Sequence, residues 1–198
     1  MDPAAVRAKF GLDYIADERT YTMGIDRRFT AEMARRFRNR VVLETCTGAG
    51  FTTIALARVA LLVITFEIQP AHQAQARFNL AMAGVMDRVT SVLGDVMKET
   101  LPQVDAAFLD PDWAVTGLQH VHRFLQSTTK PPADALVERV FRTTQNVALV
   151  LPPGIDPREF DGLPVHERQK LYMDRRLELY CLYFGQLAES AEETEFRA

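Results

Sequence analysis

Residues 41–58 read VVLETCTGAGFTTIALAR. Three apolar residues, Val41, Val42 and Leu43, run into Glu44, and a short polar loop holding Gly48 and Gly50 follows. Beyond it, Phe51, Ile54, Ala55 and Leu56 fall at the spacing of one helix face. The stretch therefore predicts a strand, a tight glycine turn and a helix N-terminus in direct succession. Glycine has no Cβ and tolerates positive φ, so backbone at such a junction closely approaches a ligand. This is the nucleotide cradle of an α/β sheet.

The chain around it repeats that rhythm. Strands are expected at 41–45, 61–67, 88–93, 104–109 and 146–151, with helices at about 51–60, 70–83 and 133–142 and a short helix after Asp95. Leu61 to Glu67 is apolar almost throughout, as a strand buried on both faces requires. Pro70 suits a helix start and Gly84 a helix stop. Residues 114–132 read as a loop. Two alternating segments, 165–172 and 177–184, flank Asp174-Arg175 and read as an antiparallel hairpin at the sheet edge. The expected fold is α/β: a doubly wound, Rossmann-like, seven-stranded sheet, mostly parallel, with a C-terminal antiparallel hairpin. Residues 1–40 form a short N-terminal helical extension with breaks near Gly11 and Gly24, and residues 41–198 the nucleotide-binding domain. In the extension's last helix Met33, Ala34 and Phe37 form the buried face, with Arg35, Arg36 and Arg38 outside.

Composition narrows the class. The 198 residues are 47% hydrophobic and carry a net charge of −3, which argues against a strongly electrostatic nucleic-acid binder. The longest apolar run, Val59 to Phe66, is too short to span a bilayer, and MDPAAVRAKF has no apolar signal core, so a cytoplasmic protein without membrane association is expected. The two cysteines, Cys46 and Cys181, form no disulfide or metal pattern. His120 and His122 have no companion ligand spacing for zinc, so no metal is expected and the pair reads as surface or substrate-loop residues. Residues 1–40 hold nine Lys/Arg against six Asp/Glu, a basic cluster that is by default a solvated helix face and alternatively an anionic-substrate face.

Acids stand behind four of the expected strands: Glu44, Glu67, Asp95 and Asp110. Ligands bind such sheets at the carboxyl ends of the strands. Glu67, about 20 residues past the loop, suits a ribose, because a carboxylate accepts from both hydroxyls. NAD and S-adenosylmethionine (SAM) both carry that ribose. A dinucleotide fingerprint needs a third glycine where Thr53 stands, which weakens NAD, and Glu44 suits the cationic end of SAM. Asp95 suits the adenine amine or, equally, a cap for the turn at Val96.

Asp110-Pro111-Asp112-Trp113 follows the fourth strand. The segment resembles the (Asp/Asn/Ser)-Pro-Pro-aromatic motif that amine methyltransferases keep behind this strand, and the resemblance implies its chemistry: a conjugated exocyclic amine is a poor nucleophile, and two acceptors, the Asp110 side chain and the Pro111 carbonyl, would hold its hydrogens and aim its lone pair. Trp113 would stack on a flat substrate, with a cation–π contribution if the base is charged, or alternatively anchor the loop by packing.

Here the chain resembles the trimethylguanosine synthase (RNA cap guanine-N2 methyltransferase) family of class I SAM-dependent methyltransferases. ETCTGAGFTT, ITFEIQP, the LGD at 93–95, FLDPDW at 108–113, NVALVLPPGID and LYFGQL at 182–187 fall in family order and spacing, from about Phe29 to Leu187. The resemblance implies SAM as cofactor, bound by Glu44, Thr45, Gly48, Gly50, Glu67, Ile68, Asp95 and Asp110. It implies Asp110, Pro111 and Trp113 as catalytic residues, and Trp113, Asp112 and Thr30 of RFTAE as substrate-binding residues. RNA or a guanine nucleotide is the implied partner. The family's second proline is Asp112 here, and the two glycines after its tryptophan are Ala114 and Val115. Those departures leave open another small-molecule amine as acceptor, or a SAM-binding protein without catalysis.

Overall fold

The computed structural model describes residues 1–113 and 120–198. The chain divides into two compact units, Met1–Thr100 and Leu101–Ala198.

The first unit opens with three short helices, α1 (Pro3–Phe10), α2 (Glu18–Met23) and α3 (Arg27–Ala34). Each starts on an aspartate, Asp2, Asp17 or Asp26, whose carboxylate accepts a hydrogen bond from an N–H of the first turn. Gly11 ends α1 at φ +97°, and Gly24 follows α2. Met33, Ala34 and Phe37 are buried, as their spacing predicts. Arg36 is buried too, a correction to its expected outward position: the chain tightens into a 3-10 turn over Arg35–Phe37, which rotates its side chain inward.

Then come β1 (Val41–Thr45), α4 (Phe51–Ala57), β2 (Leu62–Glu67), α5 (Pro70–Met82) and β3 (Val89–Leu93). The strands run in the order β3-β2-β1 and are parallel throughout, with Val41 opposite Leu62 and Val63 opposite Val89. Val42, Leu43 and Val63 are fully buried. The expected short helix after Asp95 is a single turn, in which the N–H groups of Lys98 and Glu99 reach the Asp95 carbonyl at 2.8 and 2.9 Å.

The second unit contains β4 (Ala106–Leu109), α6 (Ala133–Phe141), β5 (Val147–Leu151), β6 (His166–Met173), β7 (Arg176–Phe184) and β8 (Glu193–Arg197). Its strands are ordered β4-β5-β7-β6-β8. Pairing is parallel between β4 and β5, antiparallel from β5 to β7 and β7 to β6, and parallel again from β6 to β8. All residues of β4 and β5 are buried. Burial of a Val or Leu side chain contributes about 1.5–3 kcal/mol, which makes these short strands the hydrophobic centre of the unit.

The fold is of the expected α/β Rossmann-like class, mostly parallel with antiparallel C-terminal strands. Among the described residues the strands number eight rather than seven, because β8 lies beyond the hairpin. Its anchor is Glu167, almost wholly buried on β6. That carboxylate accepts hydrogen bonds from Glu189 N at 2.7 Å and from the Thr194 hydroxyl at 2.6 Å. Arg168 and Lys170 of β6 both pair with Glu193 at the start of β8. No helix is long and apolar enough to cross a membrane among the described residues.

Candidate active site

The glycine loop is built from three left-handed positions in alternation: Cys46 at φ +61°, Gly48 at +55° and Gly50 at +82°. Gly50 requires glycine twice over, because a Cβ there would lie 3.2 Å from the Ala76 Cβ on α5 as well as carrying the strained φ. At Gly48 a Cβ would meet nothing nearer than a carbonyl oxygen 4.0 Å away, so the backbone faces open space there. A ligand can approach the main chain at that point, which is what a nucleoside cradle needs.

Glu67 ends β2 and is 5% exposed. One carboxylate oxygen accepts from Gly48 N and the other from Gln69 N, each at 2.8 Å. This one side chain joins the glycine loop to the turn after β2. A carboxylate has about four acceptor positions, so both oxygens keep capacity for hydroxyl donors. Ile68, in that turn, is exposed, and His72 Nδ1 lies 3.9 Å from Glu67. Open backbone at Gly48 beside an ordered carboxylate fits the ribose end of SAM.

Glu44 falls within the expected first strand. It lies inside β1, opposite Thr65 of β2, and is 2% exposed. The Thr53 hydroxyl donates to it at 2.6 Å, and Thr65 in turn meets Thr47 at 2.5 Å. Burial pushes the Glu44 carboxyl up to about 7, against the pull of the Thr53 and Thr65 hydroxyls and with a smaller push from Glu67. Thr45 is fully buried, and its hydroxyl has no hydrogen-bond partner among the described residues.

A stability consequence follows. In the unfolded chain Glu44 ionises near its ordinary value of 4.5, while in the fold it holds its proton to about 7. The stabilising contribution of the neutral form is complete below the unfolded value. It is lost as pH rises between the two values, by about 3 kcal/mol in all. Glu44→Gln keeps an oxygen for Thr53 and cannot ionise, so its melting temperature relative to wild type should climb from pH 5 to about pH 7 and level off by pH 8. Parallel curves for the two proteins over that range would show that Glu44 is not a buried, proton-holding group.

Asp95 caps its turn through Met97 N at 2.9 Å and pairs with Lys98 at 3.3 Å. Thr30, on α3, donates to the Arg27 carbonyl at 3.2 Å. It borders a cavity between α3 and α4 whose lining includes no other predicted site residue. The structure thus joins Gly48 to Glu67 by a hydrogen bond and places Thr30 on the wall of the α3–α4 cavity.

In the second unit Asp110 directly follows β4, half-buried, and Pro111 is buried. Asp112 and Lys130 exchange both backbone hydrogen bonds at 2.9 Å, an isolated antiparallel bridge that fixes the main chain behind Pro111. The Trp113 indole N–H is buried and without a hydrogen-bond partner among the described residues. Ala114 and Val115 lie outside the described residues. His120 and His122 contact each other, ring nitrogen to ring nitrogen, at 3.3 Å, and burial followed by its His120 neighbour lowers the His122 pKa. Glu159 holds the chain just beyond, accepting from Phe124 N and Leu125 N at 2.8 Å. No group of three or more His, Cys, Asp or Glu side chains is placed to hold a metal ion among the described residues.

Sequence reasoning missed Asn79. Buried on α5, it donates to the carbonyls of Ile15 and Ala49 and accepts from Ile15 N, so it ties residues before α2 to the glycine loop. An asparagine in an apolar helix stretch is the only signal the sequence offers for this.

Comparison with known proteins bears on these residues. Residues 39–182 match the family described as RNA cap guanine-N2 methyltransferase. Over 119 residues the chain is 39% identical to the catechol O-methyltransferase of Mycobacterium tuberculosis (strain ATCC 25618 / H37Rv), covering 56% of this chain and 54% of that protein. A proposed methyltransferase of Porphyromonas gingivalis W83 shares the fold with a TM-score of 0.75 at 17% identity, over 92% of this chain and 47% of the other. A proposed methyltransferase of Streptococcus mutans in complex with SAH does so with a TM-score of 0.54 at 13% identity, over 80% and 97%. The chain spans about half the length of the first two of these proteins. The structural likenesses, at such low identity, speak for the fold. The family match covers most of the chain and includes both the glycine loop and the Asp110–Trp113 segment, so S-adenosylmethionine is the cofactor and the chain belongs to the RNA cap guanine-N2 methyltransferase family.

Proposed function

We propose that the protein is a SAM-dependent N-methyltransferase acting on an exocyclic amine, with guanine N2 in an RNA cap-like or other RNA or nucleotide substrate as the acceptor. The observation that carries this reading is the Asp110-Pro111-Asp112-Trp113 segment, set directly behind the buried strand β4 and pinned by the Asp112–Lys130 bridge.

In this reading Glu67 accepts from the ribose hydroxyls, the open backbone at Gly48 takes the nucleoside, and Glu44, Thr45, Gly50, Ile68 and Asp95 complete the cofactor's surroundings. When bound, SAM supplies an electrophilic methyl group on a sulfonium. The Asp110 carboxylate and the Pro111 carbonyl accept the two amine hydrogens, which draws the nitrogen lone pair out of conjugation. Such alignment contributes roughly 7–11 kcal/mol at best. The proton lost by the methylated amine goes to Asp110 or to water. Trp113 stacks on the base, adding about 0.5–2 kcal/mol where the base is cationic. Asp112 and Thr30 belong to the substrate side.

A second reading, methyl transfer to a phenolic oxygen, is favoured by the identity to the mycobacterial O-methyltransferase. Labelled SAM offered with 7-methylguanosine cap analogues, guanosine nucleotides, the matching inosine nucleotides and catechol separates the two. Label should enter the guanine acceptors and not inosine, which lacks the exocyclic amine. Label in catechol alone would replace the amine reading with the oxygen one.

A further inference from the structure

The groove between α3 and α4 is a cavity of about 160 Å3, bordered among others by Arg27, Thr30, Ile54 and Arg58. Short side chains create it: Ala31 and Ala34 on α3 and Ala55 on α4 do not fill the space between the two helices. Phe10 and Phe51, whose rings stack with centroids 3.6 Å apart, also line it. Among the described residues no acid lines the groove.

Its charge is the informative feature. The two acids of the α3 region are already taken by other arginines. Asp26 pairs with Arg28 at 2.9 Å, and Glu32 pairs with Arg35 at 2.9 Å. Arg27 and Arg58, both exposed, make no ion pair and no side-chain hydrogen bond among the described residues. Arg27 lays its stem over Gly11 and opens α3, and Arg58 follows the last turn of α4. The result is an apolar floor with two unneutralised guanidiniums beside it. A guanidinium presents a planar fork of donors that matches phosphate oxygens. An apolar floor suits the carbon face of a sugar.

We propose that this groove binds a backbone phosphate and the attached ribose of the RNA acceptor through Arg27 and Arg58. The proposal extends the substrate side of the function given above and rests on the acceptor being RNA. It also gives Thr30 a place, as part of the groove wall.

The test uses the full chain, saturated with S-adenosylhomocysteine, and a fluorescently labelled twelve-nucleotide single-stranded RNA followed by anisotropy. Arg27→Gln/Arg58→Gln should weaken RNA binding by about tenfold. It should also flatten the dependence of log Kd on log salt by about 0.7 for each phosphate that is no longer neutralised. Arg27→Lys/Arg58→Lys, which keeps the charge, should recover part of the affinity. Unchanged S-adenosylhomocysteine binding in both variants shows that the fold is intact. Equal RNA affinity in wild type and the Gln variant overturns the proposal. So does displacement of the RNA by a nucleoside monophosphate at matching affinity, which would make the occupant a free nucleotide. Arginine-dependent RNA binding without methyl transfer to any guanine acceptor would sink the proposed acceptor atom and leave the groove assignment standing, so the two failures are distinguishable.

Discussion

Asp110→Ala loses methyl transfer by about a thousandfold while SAM affinity changes only a few-fold. Loss of that size is typical when a single well-placed electrostatic partner of the reacting group is removed. Asp110 follows β4, whose four residues are all buried, so the strand holds the carboxylate's backbone in place whatever side chain it carries. The residues around the glycine loop are ordered without it: Glu67 is held by Gly48 and Gln69, and Glu44 by Thr53. Transfer rates at saturating acceptor, with SAM affinity from calorimetry on the same preparation, separate the two effects. An equal loss of both would reject the acceptor role given to Asp110. Asp110→Asn should retain more activity than alanine, because its amide oxygen still accepts one amine hydrogen.

Glu67→Ala should have the opposite signature, with SAM affinity falling by about a hundredfold or more and the fold weakened as well. Two losses add. The cofactor's ribose loses its acceptor, and the backbone N–H groups of Gly48 and Gln69 lose a charged partner at 2.8 Å. Each N–H left unsatisfied in a buried setting costs about 1–3 kcal/mol. Glu67→Gln replaces only one of the two acceptor oxygens by a donor and should fall between wild type and alanine. Calorimetric titration with SAM and thermal melts of the cofactor-free proteins give the two readouts. If Glu67→Ala bound SAM like wild type, neither the ribose role nor the loop-ordering role would survive.

What the sequence carries most clearly is local. Val41 to Arg58 forms the strand, glycine turn and helix expected of it, because apolar period, glycine position and helix face all lie within a few residues of one another. The hairpin around Asp174-Arg175 is legible for the same reason. Features that depend on distant partners are not. Glu44 falls in the expected strand, but the burial of its carboxyl beside the Thr53 hydroxyl, nine residues on, shows only in the fold. Glu193–Arg197 lies beyond the hairpin that the sequence predicts, and becomes a strand where Glu167, Arg168 and Lys170 on β6 receive it. Asn79 gains its meaning from carbonyls 30 and 64 residues away. Arg36 turns inward where α3 gives way to a 3-10 turn, a change of about 20° per residue that no side-chain period reports. On the site, the sequence locates Gly48 and Glu67 as parts of one cradle, and the hydrogen bond between them is its geometric counterpart. Thr53 entered only as the residue that is not a third glycine, and its hydroxyl is the group that holds Glu44.

The most direct test is the position of the transferred methyl. The protein would be incubated with labelled SAM and a guanine-containing cap analogue or short RNA, the product digested to nucleosides, and the labelled nucleoside identified by mass and retention. The label is expected in N2-methylguanosine. Label on a ribose oxygen, on a ring nitrogen, or on an inosine-containing acceptor at the same rate would contradict transfer to an exocyclic amine.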